Sequence, residues 1–257
     1  MTLLERYQEL IERDAADISS LWKYLQMFLY LLSAISGYVC CVLFYIIWDH
    51  IFANKCPLWA TSILMTKEEY EPLDINDFYM HHLNWWKYII VHYKYTGTCY
   101  MYLTTCFLSC IFGVVWFTLF LMCGKGGHDV YIYEGPWRIV FPAMCFNSIF
   151  AIMSIAANYN LTEGYREFGG NMKHVAVEIY STYKIVVDAS DCEIIKTYIR
   201  IHNIHAHDMC GIMSYLQVFS KMMVYSWVGG SIMLFWRVIT INDFRILDVK
   251  IYEVKTD

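Results

Sequence analysis

Apolar residues dominate four stretches of this chain, and charged residues are confined almost entirely to what lies between them. The longest uninterrupted stretch runs from Tyr95 to Gly124, thirty residues between Lys94 and Lys125 without one charged side chain. A helix rises about 1.5 Å per residue, so roughly 20 residues already cross a hydrocarbon layer about 30 Å thick. A water-soluble helix of that length needs a polar face, and this one has none. Tyr24 to Trp48, between Lys23 and Asp49, shares the pattern. So does the stretch between Arg138 and Glu163, with Pro142 near its start, where a missing N–H does little harm. The fourth, Gly211 to Trp236, is interrupted once, by Lys221.

The pattern predicts an all-α membrane protein with transmembrane helices over 24–48, 98–123, 139–159 and 211–236 and a small disulfide-stabilised, β-containing extracellular region. Residues 1–23 place Leu3, Leu4, Tyr7, Leu10, Ile11, Ile18 and Leu21 near a 3.6-residue period among Glu5, Glu9, Glu12, Arg13, Asp14 and Asp17. They read as an amphipathic helix leading into the membrane. The connecting segments are a first outer loop (49–97), an inner loop (124–138), a second outer loop (160–210) and an inner tail (237–257). Two runs of the first loop, Trp59–Met65 and Trp86–Tyr95, are rich in strand-forming residues, as is Val175–Val187 in the second. Glu193 to His207 reads as an amphipathic helix. Ser33 with Gly37, and Ser226 with Gly230, form small-xxx-small pairs that let another helix approach closely.

Four spans put both termini on one side. The shorter set of segments (1–23, 124–138, 237–257) holds nine Lys/Arg, as many as the much longer loops 49–97 and 159–212. That density favours cytoplasmic termini, in the plasma membrane or an endomembrane. Six of the ten cysteines (Cys40, Cys41, Cys106, Cys110, Cys123, Cys145) lie in or beside spans. The other four fall on the side this topology makes oxidising, and four cysteines allow three pairings. The expected bridges are Cys56–Cys99 and Cys192–Cys210, each tying a loop to the helix that follows. Asn160-Leu161-Thr162 is a glycosylation sequon on the same side, and Cys123, before Gly124-Lys125-Gly126, is a candidate for palmitoylation.

A net charge of −5 without a basic cluster excludes nucleic acid as a natural partner. Aromatic residues make up 18% of the chain and crowd the first outer loop, where Trp59, Phe78, Tyr79, Trp85 and Trp86 suit either a headgroup belt or a docking surface for a partner's ectodomain. All nine histidines lie outside the predicted spans, which excludes bis-histidine haem, and no Asp or Glu lies inside a span to couple transport to an ion. Lys221 is the one intramembrane charge. It either snorkels to the interface or faces the bundle with Gln217 and Tyr225, to be paired by an acid from another subunit. His202, His205, His207 and Asp208 match no standard zinc spacing, and no phosphate loop or nucleophile elbow occurs. No catalytic residue, cofactor or metal is expected.

A four-span, N-in chain with cysteines in its first outer loop shares its topology with the claudin and calcium-channel-gamma superfamily. The G-L-W…C…C signature of that group is absent, and only Cys56-Pro57-Leu58-Trp59 stands in its place. Tetraspanins need a C-C-G in the large outer loop, which loop 159–212 lacks. More features fit elsewhere. Cys56 follows the first span, Cys99 opens the second, Thr118-Leu119-Phe120-Leu121-Met122-Cys123 closes it before Lys125-Gly126, and Gln217 and Arg237 bracket the last span. In these the chain resembles the transmembrane protein 179 family, although its loops are longer and Lys221 has no counterpart there. The resemblance implies a topology and paired cysteines, not a reaction. The functional expectation is a non-enzymatic accessory or scaffolding subunit, in the lipid bilayer, of a larger integral membrane protein such as a channel or receptor. A pore-forming homo-oligomer is the first competitor, and a membrane-embedded enzyme a weaker one.

Overall fold

A computed structural model describes residues 2–64, 89–127, 137–181, 190–202, 208–240 and 244–253. The elements run β1 (Thr2–Glu12), α1 (Leu21–Tyr45), β2 (Thr61–Leu64), β3 (Ile89–His92), α2 (Thr96–Met122), α3 (Trp137–Ser181), α4 (Asp191–His202), α5 (Met209–Thr240) and β4 (Phe244–Glu253). The chain is mostly helical, and four of its helices are long and apolar enough to cross a membrane. That points to an integral membrane protein. The observed helices start and end within a few residues of the expected spans, except α3, which continues to Ser181.

The chain divides into two compact units. The first comprises residues 1–34, 111–152 and 225–257. Its core is aromatic: Trp22, Tyr30, Phe120 and Trp227 are buried, with Trp116, Phe146 and Phe150 packed among them at ring-centroid distances of 4.7–6.5 Å. Helices α1 and α2 approach closely at Gly113, where a β-carbon would fall 2.8 Å from Ser33 Oγ and 2.9 Å from the Tyr30 carbonyl oxygen. The segment after α2 turns at Gly127, with φ of 76° and room for no side chain, since a β-carbon there would sit 2.1 Å from the Arg13 carbonyl oxygen.

This unit also corrects the reading of residues 1–23. They open with a strand, not an amphipathic helix: β1 pairs antiparallel with β4, from Thr2 opposite Glu253 to Glu12 opposite Phe244. The expected inner tail thus supplies the last turn of α5 and a second strand. The apolar positions of residues 3–11 fit either period over so short a run. A β-branched partner strand some 240 residues away decides between them, because pairing satisfies the backbone of both segments at once.

The second unit comprises residues 35–110 and 153–224. Its core gathers Phe44, Ile47, Leu58, Tyr102, Leu161, Phe168, Met172, Ile195 and Met209, each almost fully buried. α1 ends in one π-helical turn, Ile46–Ile51. The β2–β3 ribbon, Thr61 opposite His92 to Leu64 opposite Ile89, falls inside the two runs expected to form strands. The disulfides are Cys56–Cys99 and Cys192–Cys210, with Cα atoms 5.9 Å apart in each, the pairs the cysteine positions suggest.

The strand expected over Val175–Val187 is helical as far as Ser181, with the rest outside the described residues. The cause is visible in the burial pattern. Leu161, Tyr165, Phe168, Met172 and Val175 recur at three- and four-residue spacing and are all buried, so α3 keeps one apolar stripe after its composition turns polar. α4 begins with a capping box, in which Ser190 N–H donates to Glu193 Oε2 at 3.2 Å and Glu193 N–H donates to Ser190 Oγ at 3.3 Å. It buries Ile194, Ile195 and Ile199.

Candidate functional site

Among the described residues, each unit encloses a cluster of buried polar side chains. In the first, α1 supplies Gln26 and Tyr30, α3 supplies Asn147 and α5 supplies Gly230. The three polar side chains are at most 1% exposed. Gly230 makes the room, since a β-carbon there would lie 2.8 Å from Asn147 Nδ2 and 3.0 Å from Gln26 Nε2. The Tyr30 hydroxyl lies beside both amides without reaching full hydrogen-bond geometry to either. The two amides thus lie close together between helices, with no hydrogen-bond partner for either side chain among the described residues. Nothing in sequence spacing connects residues 26, 147 and 230.

In the second unit, Cys40 of α1 meets Tyr102 and Cys106 of α2 and Ser220 of α5, all fully buried or nearly so. The Cys40 thiol also lies 4.0 Å from the Leu216 carbonyl oxygen. The helices approach closely here too: a β-carbon at Gly37 would fall 2.8 Å from the Cys106 carbonyl oxygen and 3.0 Å from the Cys110 N. Neither cluster contains a base, a nucleophile with an activating partner, or a carboxylate. Among the described residues no group of three or more His, Cys, Asp or Glu is placed to hold a metal ion. His205 and His207 of the weighed histidine cluster lie outside the described residues.

The small-residue pairs are both consumed within the chain. Ser33 and Gly37 face α2, and Gly230 faces Gln26 and Asn147. Lys221 points outward and is exposed, with Tyr225 exposed one turn on and Gln217 half-buried one turn before. Among the described residues, its side chain faces away from the other helices. The stripe Met213, Leu216, Ser220, Met223 and Trp227 occupies the inner face of α5 and leaves position 221 outside.

Three further candidates make contacts within the chain. Trp59 is half-buried, and its backbone N–H donates to the Gly164 carbonyl at 3.0 Å and its Nε1–H to Asn160 Oδ1 at 3.2 Å. Asn160 lies within α3, and its amide nitrogen, the atom glycosylation would modify, donates to the Ala156 carbonyl at 2.9 Å. Cys123 is buried at 5% exposure, and Lys23 Nζ donates to its backbone carbonyl. Phe78, Tyr79, Trp85 and Trp86 lie outside the described residues. Beyond the spans, burial pushes the Tyr93 phenol up and the neighbouring Tyr198 adds to the shift, while Lys55 sits 5.6 Å over the Tyr93 ring.

No protein-family model, curated protein or solved structure matches this chain. The resemblance to the transmembrane protein 179 family rests on the quoted residues alone.

Proposed function

We propose that this chain is a non-enzymatic subunit of a larger membrane complex, an accessory or scaffolding partner of a channel or receptor. The observation that carries the reading is Lys221, an exposed charge on a helix long and apolar enough to span a membrane. A lysine facing hydrocarbon costs about 2.5–3.5 kcal/mol on insertion scales, and an acidic residue on a partner's helix would offset that cost. Gln217 and Tyr225 lie on the same stripe and would extend the contact. The small-residue faces are used up inside the chain, so a partner helix would meet this outward stripe. The two buried clusters described above offer no catalytic constellation.

The competing reading is a homo-oligomeric pore. Because Lys221 faces away from its own bundle, a Lys221-lined path would have to be built between copies. One experiment separates the two. The full-length chain is purified in mild detergent from its native membrane, with and without Lys221→Leu, and whatever co-elutes is identified by mass spectrometry. The expected result is a larger membrane protein in fixed ratio, weakened several-fold by the substitution. Homo-oligomers alone, conducting ions in bilayers, would overturn the accessory reading.

A further inference from the structure

We propose that the free edge of β4 is self-complementary and joins two copies of this chain. β1 and β4 form a two-stranded sheet, and among the described residues no third strand extends it. An isolated pair of strands is marginal in water and leaves an unpaired row of N–H and C=O groups on each side. This ribbon also keeps apolar side chains open: Ile246 is 69% exposed and Leu247 48%, with Tyr7 and Ile11 both at 44%.

The order of charges along β4 selects the occupant of its edge. In antiparallel pairing, residues directly opposite either exchange both backbone bonds or exchange none. Residues facing one edge alternate along the strand, so a symmetric pair of β4 strands must have its two-fold axis on a residue. With the axis on Val249, Asp248 falls opposite Lys250 of the second copy and Arg245 opposite Glu253. Leu247 falls opposite Ile251 and Ile246 opposite Tyr252. Every charge meets its opposite, and every apolar residue meets an apolar one.

Neighbouring registers fail. An axis on Asp248 or on Lys250 sets that charge against itself. On Leu247 it sets Arg245 opposite Val249, and on Ile251 it sets Val249 opposite Glu253. β1 has no such register: an axis at its centre, Tyr7, sets Glu5 against Glu9 twice. Like charges directly opposite destabilise a pair of strands, and opposite charges support it. β4 is neutral, with Arg245 and Lys250 balancing Asp248 and Glu253. β1 carries Glu5, Glu9 and Glu12 against Arg6. One edge of the ribbon is guarded and the other matched.

The ion pairs within the chain are compatible with this arrangement. Asp248 accepts from Arg6 at 2.8 Å, yet its side chain stays 40% exposed, and a carboxylate has two oxygens to offer. Arg245 pairs with Asp17 and is 58% exposed. Because the same edge is used twice, the interface closes at two copies and does not propagate into a filament.

Thiol cross-linking of the full-length chain in membranes tests the proposal. Val249→Cys puts one thiol on the axis, directly opposite its own copy. Leu247→Cys moves the thiol two positions away from the axis, and the unsubstituted chain, with its native cysteines, sets the baseline. A short bifunctional maleimide is expected to give several-fold more covalent homodimer from Val249→Cys than from Leu247→Cys. Adding Lys250→Asp should return the yield to baseline, and combining it with Asp248→Lys should restore it. That swap still leaves Arg6 a carboxylate partner, because the β1–β4 register sets Arg6 opposite position 250, where Asp would replace Lys. Equal cross-linking from positions 247 and 249 overturns the proposal, as does a Val249→Cys yield indifferent to Lys250→Asp. A cross-link from position 249 to a different protein in place of a homodimer overturns it as well. Should Lys250→Asp fail to fold, the comparison of 249 with 247 decides alone.

Discussion

The two units of this molecule hold their helices together by different means. Residues 35–110 and 153–224 are tied by two disulfides, and their core closes over Cys40, Tyr102 and Cys106. Residues 1–34, 111–152 and 225–257 contain no bridge among the described residues. They rely on a cluster of aromatic rings, on close helix approach at Gly113, and on the buried Gln26 and Asn147. Lipid tails are as apolar as leucine, so helix association inside a bilayer cannot draw on the hydrophobic effect that packs soluble bundles. A covalent tie and a buried polar contact are two answers to the same deficit. The first restricts the unfolded chain, and the second brings polar side chains of different helices next to one another.

The largest effect should come from the bridges. Cys56→Ser with Cys99→Ser is expected to cost about 2–5 kcal/mol. In hydrogen exchange, protection should fall within residues 35–110 and 153–224 and be largely kept elsewhere. An equal loss in both units would mean that they unfold as one body and would break the comparison. Close approach comes next. Gly113→Val and Gly37→Val each force a side chain against backbone atoms of a neighbouring helix, at a cost of about 1–3 kcal/mol or more, read as a lowered melting temperature in detergent. If the bridges brace the second unit, Gly37→Val should be the milder of the two.

The amide pair sharpens the picture further. Asn147→Leu alone should cost about 1–3 kcal/mol by leaving Gln26 and Tyr30 without their neighbour. Asn147→Leu together with Gln26→Leu should cost less than the sum of the single changes. A double-mutant cycle measured by thermal unfolding checks this, and strict additivity would deny the coupling. The smallest effect belongs to the terminal ribbon. Arg245→Ala removes the exposed pair with Asp17 and should change stability by less than about 1 kcal/mol, with any loss fading in high salt.

Legibility in the sequence follows the range over which each signal acts. Apolar run length is local, so the spans are readable from residues 24–48 or 98–123 without knowledge of any partner. α3 shows the limit. Its spacing at Leu161, Tyr165, Phe168, Met172 and Val175 was available, but Glu163, Arg166, Glu167 and Lys173 mask a helical period from any reading by composition. The Gln26, Asn147 and Gly230 cluster carries no advance signal, because amides and glycines occur throughout the chain and only packing brings these three together.

By itself, then, the sequence determined four segments suited to a bilayer, the four cysteines placed to bridge, and the strand-forming runs between the first and second of those segments. These depend on hydrophobicity, thiol chemistry and side-chain branching, which belong to residues and their near neighbours. Only the tertiary structure decided that the two termini form one sheet and that the small residues serve the chain's own helices. It also placed Trp59, Asn160 and Cys123 in contacts within the chain and turned Lys221 outward. Each of those outcomes depends on which surfaces meet across long sequence distances, and a backbone or polar group is satisfied only by the partner that the whole fold delivers to it.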